Sequence, residues 1–248
     1  MKLFLHQLKY EQLLFWRSRE AAMFVFLLPV LLFVLLGAVY SGDVDGFHAA
    51  TYLLVGMLGY GVANTAFGGL AIFLVLRREG GLLKRIRGTP ARPAAYLAAV
   101  LASSLMVFAL QSAVLLAVGL LFYDAEGPER TSSLLLALAL GAAVFAALGI
   151  AACAVIRSAE GVSPIVNVVI LPMAFLSGSF GPPEDYPAVL EAIGRVLPLR
   201  YFIDLVRGAY LEDQAFWSDP TAIAVLAAWG VVGLVVAARL FRWEPRSR

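Results

Sequence analysis

Charge is scarce in this chain. Asp, Glu, Lys and Arg make up 15% of its 248 residues, 61% are hydrophobic and the mean hydropathy is +0.86, whereas soluble domains carry about 25% charge. That balance excludes an ordinary soluble fold. Lysine occurs only at Lys2, Lys9 and Lys84. None stands in the Gly-Lys-Ser/Thr context in which a P-loop lysine reaches nucleotide phosphates and the hydroxyl holds Mg²⁺, so no nucleotide site is expected in this chain, and it is not expected to be an ATP-hydrolysing enzyme itself. The two histidines, His6 and His48, flank the first apolar stretch from opposite ends, and no His/Glu pair has metal-binding helical spacing. The one cysteine, Cys153, sits among Ala151, Ala152 and Ala154. It reads as a small packing residue rather than a nucleophile and says little about compartment.

What is abundant is long apolar sequence. Stretches free of charge run over residues 21–40, 47–76, 93–123, 131–156, 161–183 and 220–238. A hydrocarbon core of about 30 Å needs roughly 20 helical residues to cross it. Runs such as Phe24 to Leu36 are apolar on every side, unlike the alternation of a membrane barrel. The expected fold is all-α and polytopic, with six transmembrane helices at 21–40, 47–76, 93–123, 131–156, 161–183 and 220–241. The connections are too short for a separate globular domain, so 1–248 reads as one domain. About 20 amphipathic residues precede the first apolar core, and no small-x-small cleavage site follows it, so that helix is expected to stay in the protein.

Basic residues near span ends stay on the cytoplasmic side. With both termini inside, 15 of the 19 Lys and Arg residues fall on that side, and only Arg130, Arg195, Arg200 and Arg207 lie outside. The expectation is a multi-pass protein of the cell membrane with cytoplasmic termini. The net charge of +2 gives no sign of nucleic acid as a partner.

Three segments outside the spans carry a pattern. In residues 1–20, Phe4, Leu5, Leu8 and Phe15 share a face opposite His6, Lys9, Arg17 and Glu20, as in an interfacial helix lying on lipid. Glu11 and Leu13 break that stripe, and a basic flank that only sets topology is the alternative. In the loop 77–92, Leu82, Leu83 and Ile86 line one side of a short helix and Lys84, Arg85 and Arg87 the other, with Gly88 and Pro90 closing it. It serves either to dock something or to touch headgroups. In the outer segment 184–219, Val189, Leu190, Ile193, Val196 and Leu197 form one apolar face, and Tyr201, Phe202, Leu205, Val206 and Ala209 form another after Pro198. Two helices too short to cross, split by a proline, read as an elbow that dips into the outer leaflet and returns, or that lies on its surface.

Five predicted spans contain no ionisable Asp, Glu, Lys or Arg, and the sixth meets one only at Arg239. Ion-coupled carriers place such residues in the membrane interior, so a self-powered carrier is not expected. The intramembrane amides and hydroxyls, among them Asn64, Gln111, Asn167 and Ser177, either bond between helices or line a path for an amphiphile.

Two motifs go further. One is Arg78-Glu79-Gly80 followed by Leu83-Lys84-Arg85-Ile86-Arg87-Gly88-Thr89-Pro90. The other is Phe175-Leu176-Ser177-Gly178-Ser179-Phe180 with Pro182-Pro183, then Pro198-Leu199-Arg200-Tyr201 and Arg207. In this order among six spans the chain resembles the membrane subunit of type-2 ABC exporters, the drug, lipid and polysaccharide export group. Gly80-Gly81 departs from the Gly-Thr or Gly-Ser frequent there. The resemblance implies that Arg77, Arg78, Glu79, Lys84, Arg85, Arg87, Thr89 and Pro90 form a coupling helix on a separate ATPase that holds ATP and Mg²⁺. It also implies two ATPase copies, a second permease, identical or different, and outer re-entrant helices at Pro198, Arg200, Tyr201 and Arg207. A substrate, drug or lipid-like, would pass Asn64, Gln111, Asn167 and Ser177. A glycolipid or polysaccharide permease, a passive channel without an ATPase and a lipid-modifying membrane enzyme are the competing readings.

Overall fold

The computed structural model describes residues 2–40, 42–44, 46–88, 93–182 and 186–245. In chain order the helices are α1 (Lys2–Arg17), α2 (Arg19–Val39), α3 (Ala49–Val62), a π-helical segment Ala63–Gly69, α4 (Leu70–Glu79), α5 (Leu82–Arg87), α6 (Pro93–Phe122), α7 (Thr131–Val155), α8 (Ala159–Leu176), α9 (Ala188–Gly194), α10 (Pro198–Leu211) and α11 (Pro220–Leu240). A two-stranded antiparallel hairpin, Asp43–Val44 with Phe47–His48, joins α2 to α3.

Six helices are long and apolar enough to cross a membrane: α2, the continuous α3–π–α4 rod, α6, α7, α8 and α11. Burial ranks them. Within its most apolar stretch the α3–π–α4 rod is 78% buried and α7 61%, against 11% for α2 and 17% for α11. The rod and α7 are therefore the centre, and α2, α8 and α11 present Leu, Val and Phe side chains outward as a lipid-facing helix does. Small residues make the central contacts close: a Cβ at Gly233 of α11 would stand 3.0 Å from the Ala147 backbone of α7.

Local signals set the ends. Ser158 Oγ accepts the Gly161 amide at the start of α8, and Asp219 Oδ1 accepts the Ala222 amide at the start of α11, where Pro220 supplies a fixed φ. The helix predicted over 161–183 stops at Leu176. Gly178 takes φ +84, its amide bonds to Phe175 O, and the Ser179 amide reaches back to Ala174 O. This is a Schellman stop, so the Ser177-Gly178-Ser179 stretch turns instead of continuing the span. The helix of the second span extends past the charge-free stretch 47–76: it continues through Arg77, Arg78 and Glu79 and breaks at Gly81, φ +74.

Of the elbow's two helices, α9 is mostly exposed, whereas α10 is wedged between α3, α7 and α11. Its seat is cut by two glycines. Phe202 fills the notch at Gly141 of α7, where a Cβ would lie 2.2 Å from the ring, and Ile203 fills that at Gly59 of α3, where it would lie 2.5 Å away.

Candidate functional site

The two arginines that end the second span leave it in different directions, and neither faces solvent. Arg77 Nη1 donates to Glu11 Oε1 at 2.8 Å and to the Tyr96 hydroxyl, with Cζ 3.7 Å from the centre of the Phe73 ring. Arg78 is fully buried; its Nε donates to Glu79 Oε1 at 2.7 Å, Nη1 to Cys153 O and Nη2 to Ile156 O at 2.6 Å. The charge that interrupts the apolar stripe of α1, Glu11, is thus a buried partner for the second span. Gln12 fixes α1 further by donating to Ser103 O and Oγ of α6.

Past the Gly80-Gly81 turn, α5 follows the predicted division only in part: of the expected apolar side Leu83 is buried, Ile86 half-buried and Leu82 exposed. Leu83 is buried under the helix, while Lys84, Arg85 and Arg87 are exposed and carry three positive charges on one short element. Arg157, in the turn between α7 and α8, is exposed at the same end of the bundle. Thr89 and Pro90 lie outside the described residues, as do Arg92, Glu184 and Asp185. Of the residues expected to couple, the structure brings Arg77, Arg78 and Glu79 into the chain's interior and leaves Lys84, Arg85 and Arg87 exposed.

The polar residues of the spans separate into two sets. Thr65, in the π segment, donates to Gln111 Oε1 at 2.6 Å, and Gln111 Nε2 has no protein partner among the described residues. Asn64 next to it is half-buried. Asn167 is instead exposed on α8 and donates to Ser163 O within its own helix. Ser177 is buried at the end of α8, one turn from Phe180, whose ring stacks obliquely on Phe175 and Tyr60. Gln111 and Asn167 therefore lie on different surfaces, one inside the protomer and one on its outer wall.

In α10, Pro198 starts the helix, Arg200 pairs with Asp204 at 3.6 Å and the Tyr201 hydroxyl donates to Arg195 O. Arg207 Nη2 donates to the Tyr52 hydroxyl at 2.7 Å and lies over that ring, which ties the elbow to α3. Tyr210 donates to Glu126 O at 2.8 Å, and burial pushes its phenol up to about 12. The π segment and the inward partners Glu11, Tyr96 and Phe73 have no counterpart in the sequence reading. Only the break that Glu11 makes in the α1 stripe signals one of them.

A membrane-buried bundle with an exposed basic helix at one end and a wedged elbow at the other matches what comparison with known proteins finds. The chain is 35% identical over 98 residues to Nodulation protein J of Rhizobium leguminosarum bv. viciae, a match covering 40% of this chain and 38% of that protein. The ABC-2 type transporter family model matches residues 2–211. The chain belongs to the ABC-2 type transporter family, as its multi-pass membrane component.

Proposed function

We propose that this component is the permease subunit of an ATP-driven exporter in the cell membrane, with both termini in the cytoplasm. One observation carries the reading: α5 exposes Lys84, Arg85 and Arg87 on a base fixed by buried Leu83, directly after the most buried span. A charged helix on a rigid rod suits a motor held outside the membrane. ATP and Mg²⁺ belong to that motor, two ATPase copies working with two permeases, identical or different.

The outer face of α8 supports a second permease and a path. Asn167 and Ser163 are exposed among Ile165, Val168 and Leu171; the Asn167 amide bonds within its own helix to Ser163 O, and lipid tails offer its remaining polar atoms nothing to bond with. A mixed polar and apolar wall suits an amphipathic or hydrophobic substrate, drug-like or lipid-like. One observation favours the glycolipid reading. Tyr40, Phe175, Phe180, Tyr186 and Asp43 surround an opening of about 490 Å³ at the elbow end, and ring faces beside a carboxylate suit a sugar.

The test is reconstitution of the chain with its ATPase in vesicles. Export should require ATP, and Arg85→Glu with Arg87→Glu should lower export by about 5- to 150-fold, the usual range of coupling between sites, with insertion unchanged. Export at the full rate without ATP, or ionic current through the chain alone, would refute the proposal. Competition between a fluorescent lipid-like amine and a glycolipid separates the substrate readings.

A further inference from the structure

Arg78 is the largest fully buried side chain described in the protein, and its two terminal nitrogens are used far along the chain. Glu79 satisfies Nε, but Nη1 and Nη2 go to Cys153 O and Ile156 O. Cys153 is in the last turn of α7, which ends at Val155, and Ile156 is the extended residue that caps it. There the helix leaves its carbonyl groups without intrahelical amides, and a cation is favoured by the helix dipole. The planar guanidinium reaches both carbonyls and the carboxylate at once, which a lysine ammonium on a flexible stem does not reproduce. Four residues before Arg78 is Leu74, fully buried; five after it is Leu83, also fully buried. The end of the second span is thus held on both sides of the arginine. From Ile156 the chain passes through Arg157 and the Ser158 cap directly into α8.

We infer that Arg78 is a positioning residue that locks the end of α4, to which α5 is joined through Gly80-Gly81, to the α7–α8 turn, so that movement imposed on α5 is delivered through α4 to α8 as well as to the second span. The inference rests on the reading that α5 receives the ATPase. On this account Arg78 touches neither ATPase nor substrate. It decides whether a stroke at α5 reaches the helix whose outer face carries Asn167.

The experiment uses the full chain with its ATPase in vesicles, with Cys153→Ala and spin labels at Leu82→Cys and Arg157→Cys. With Arg78 present, the 82–157 distance should be single and narrow, and equal in nucleotide-free and ATP-trapped states. In Arg78→Lys, the distribution should broaden and export per ATP hydrolysed should fall about five-fold or more, while the ATPase still associates and is still stimulated. Glu79→Gln, which leaves both carbonyl bonds, should keep the narrow distribution. The inference is overturned by a wild-type distance that changes with nucleotide, by unchanged export per ATP in Arg78→Lys, or by loss of ATPase association there with an unbroadened distance, which marks a docking contact. If the wild-type chain does not associate with the ATPase, the proposed function fails. The comparison of distance widths in the chain alone then still decides whether Arg78 forms the lock.

Discussion

Exchanging Glu11 for glutamine removes one charge from the junction of α1, α4 and α6 at almost unchanged volume. Glu11 is 2% exposed, and its Oε1 accepts from Arg77 Nη1 at 2.8 Å and from Gln7 Nε2 at 2.7 Å. At an effective dielectric constant of about 20, unit charges at that separation attract by about 6 kcal/mol, and the desolvation of both groups offsets a large part of it. Removing one partner of a buried pair costs about 3–5 kcal/mol. Arg77 keeps the Tyr96 hydroxyl and the Phe73 face, a desolvated cation–π contact of about 2 kcal/mol. The expected loss for Glu11→Gln is therefore at the low end, about 3 kcal/mol. Reversible unfolding in mixed micelles measures it, and accessibility of a cysteine introduced at Leu8 reports whether α1 has lifted from α6. A Glu11→Met, Arg77→Met double variant should recover much of the loss, because it leaves no charge unpaired. A single variant within about 0.5 kcal/mol of the parent, the usual spread of surface substitutions, would refute the argument that this pair fastens the first helix.

Three further outcomes are expected. Thr65→Val should cost more than Gln111→Leu, because the first strands an amide while the second removes one whose Nε2 already lacks a partner; the double-mutant coupling should be about 0.6 to 1.7 kcal/mol, as for other interhelical bonds in membranes, and a coupling of zero would show the bond is absent. Gly149→Ala places a Cβ 2.8 Å from Phe67 O and 3.0 Å from Ala66 O, backbone atoms that cannot swing aside, so unfolding should be easier by about 1–3 kcal/mol; an unchanged midpoint would refute that contact. Tyr210 has a folded pKa raised from 10.0 to about 12, so its contribution is complete below pH 10 and is lost as pH rises through about 12. Tyr210→Phe should flatten stability over that window, and an equally steep decline in the variant would assign the pH dependence to another group.

The sequence makes the six helices legible because a hydrocarbon interior leaves the chain few options: about 20 apolar residues form their own hydrogen bonds or do not cross. The basic side of α5 is legible for a similar reason, since Lys84, Arg85 and Arg87 have no apolar place to go. Arg77 and Arg78 are not. A charge beside a span reads as solvated in one dimension, and only the fold supplies the carboxylate of Glu11 and the α7 carbonyls that make burial tolerable. Residues 161–183 illustrate the limit of hydropathy at the other end of a span. Their uninterrupted hydropathy conceals a stop that depends on the positive φ of Gly178, a conformation that composition cannot register.

The π segment resolves a conflict of register within the second span. Gly59 must face Ile203 of α10, and Arg78 must face the end of α7. They are nineteen residues apart. At about 100° per residue, an unbroken α-helix would set them roughly 100° from each other. A π turn takes up one residue more than an α turn, which leaves eighteen effective steps, about five whole turns, and returns both to one side. In the same widened turn the Ala66 and Phe67 carbonyls lie against α7 at Gly149, where a Cβ would come within 2.8–3.0 Å of them. Thr65, within the widened turn, sends its hydroxyl to Gln111 of α6, so the distortion is held from two helices. The second span can then seat the elbow at one end and carry Arg78 at the other, and the polar residues at its middle follow from that requirement as much as from any contact with a substrate.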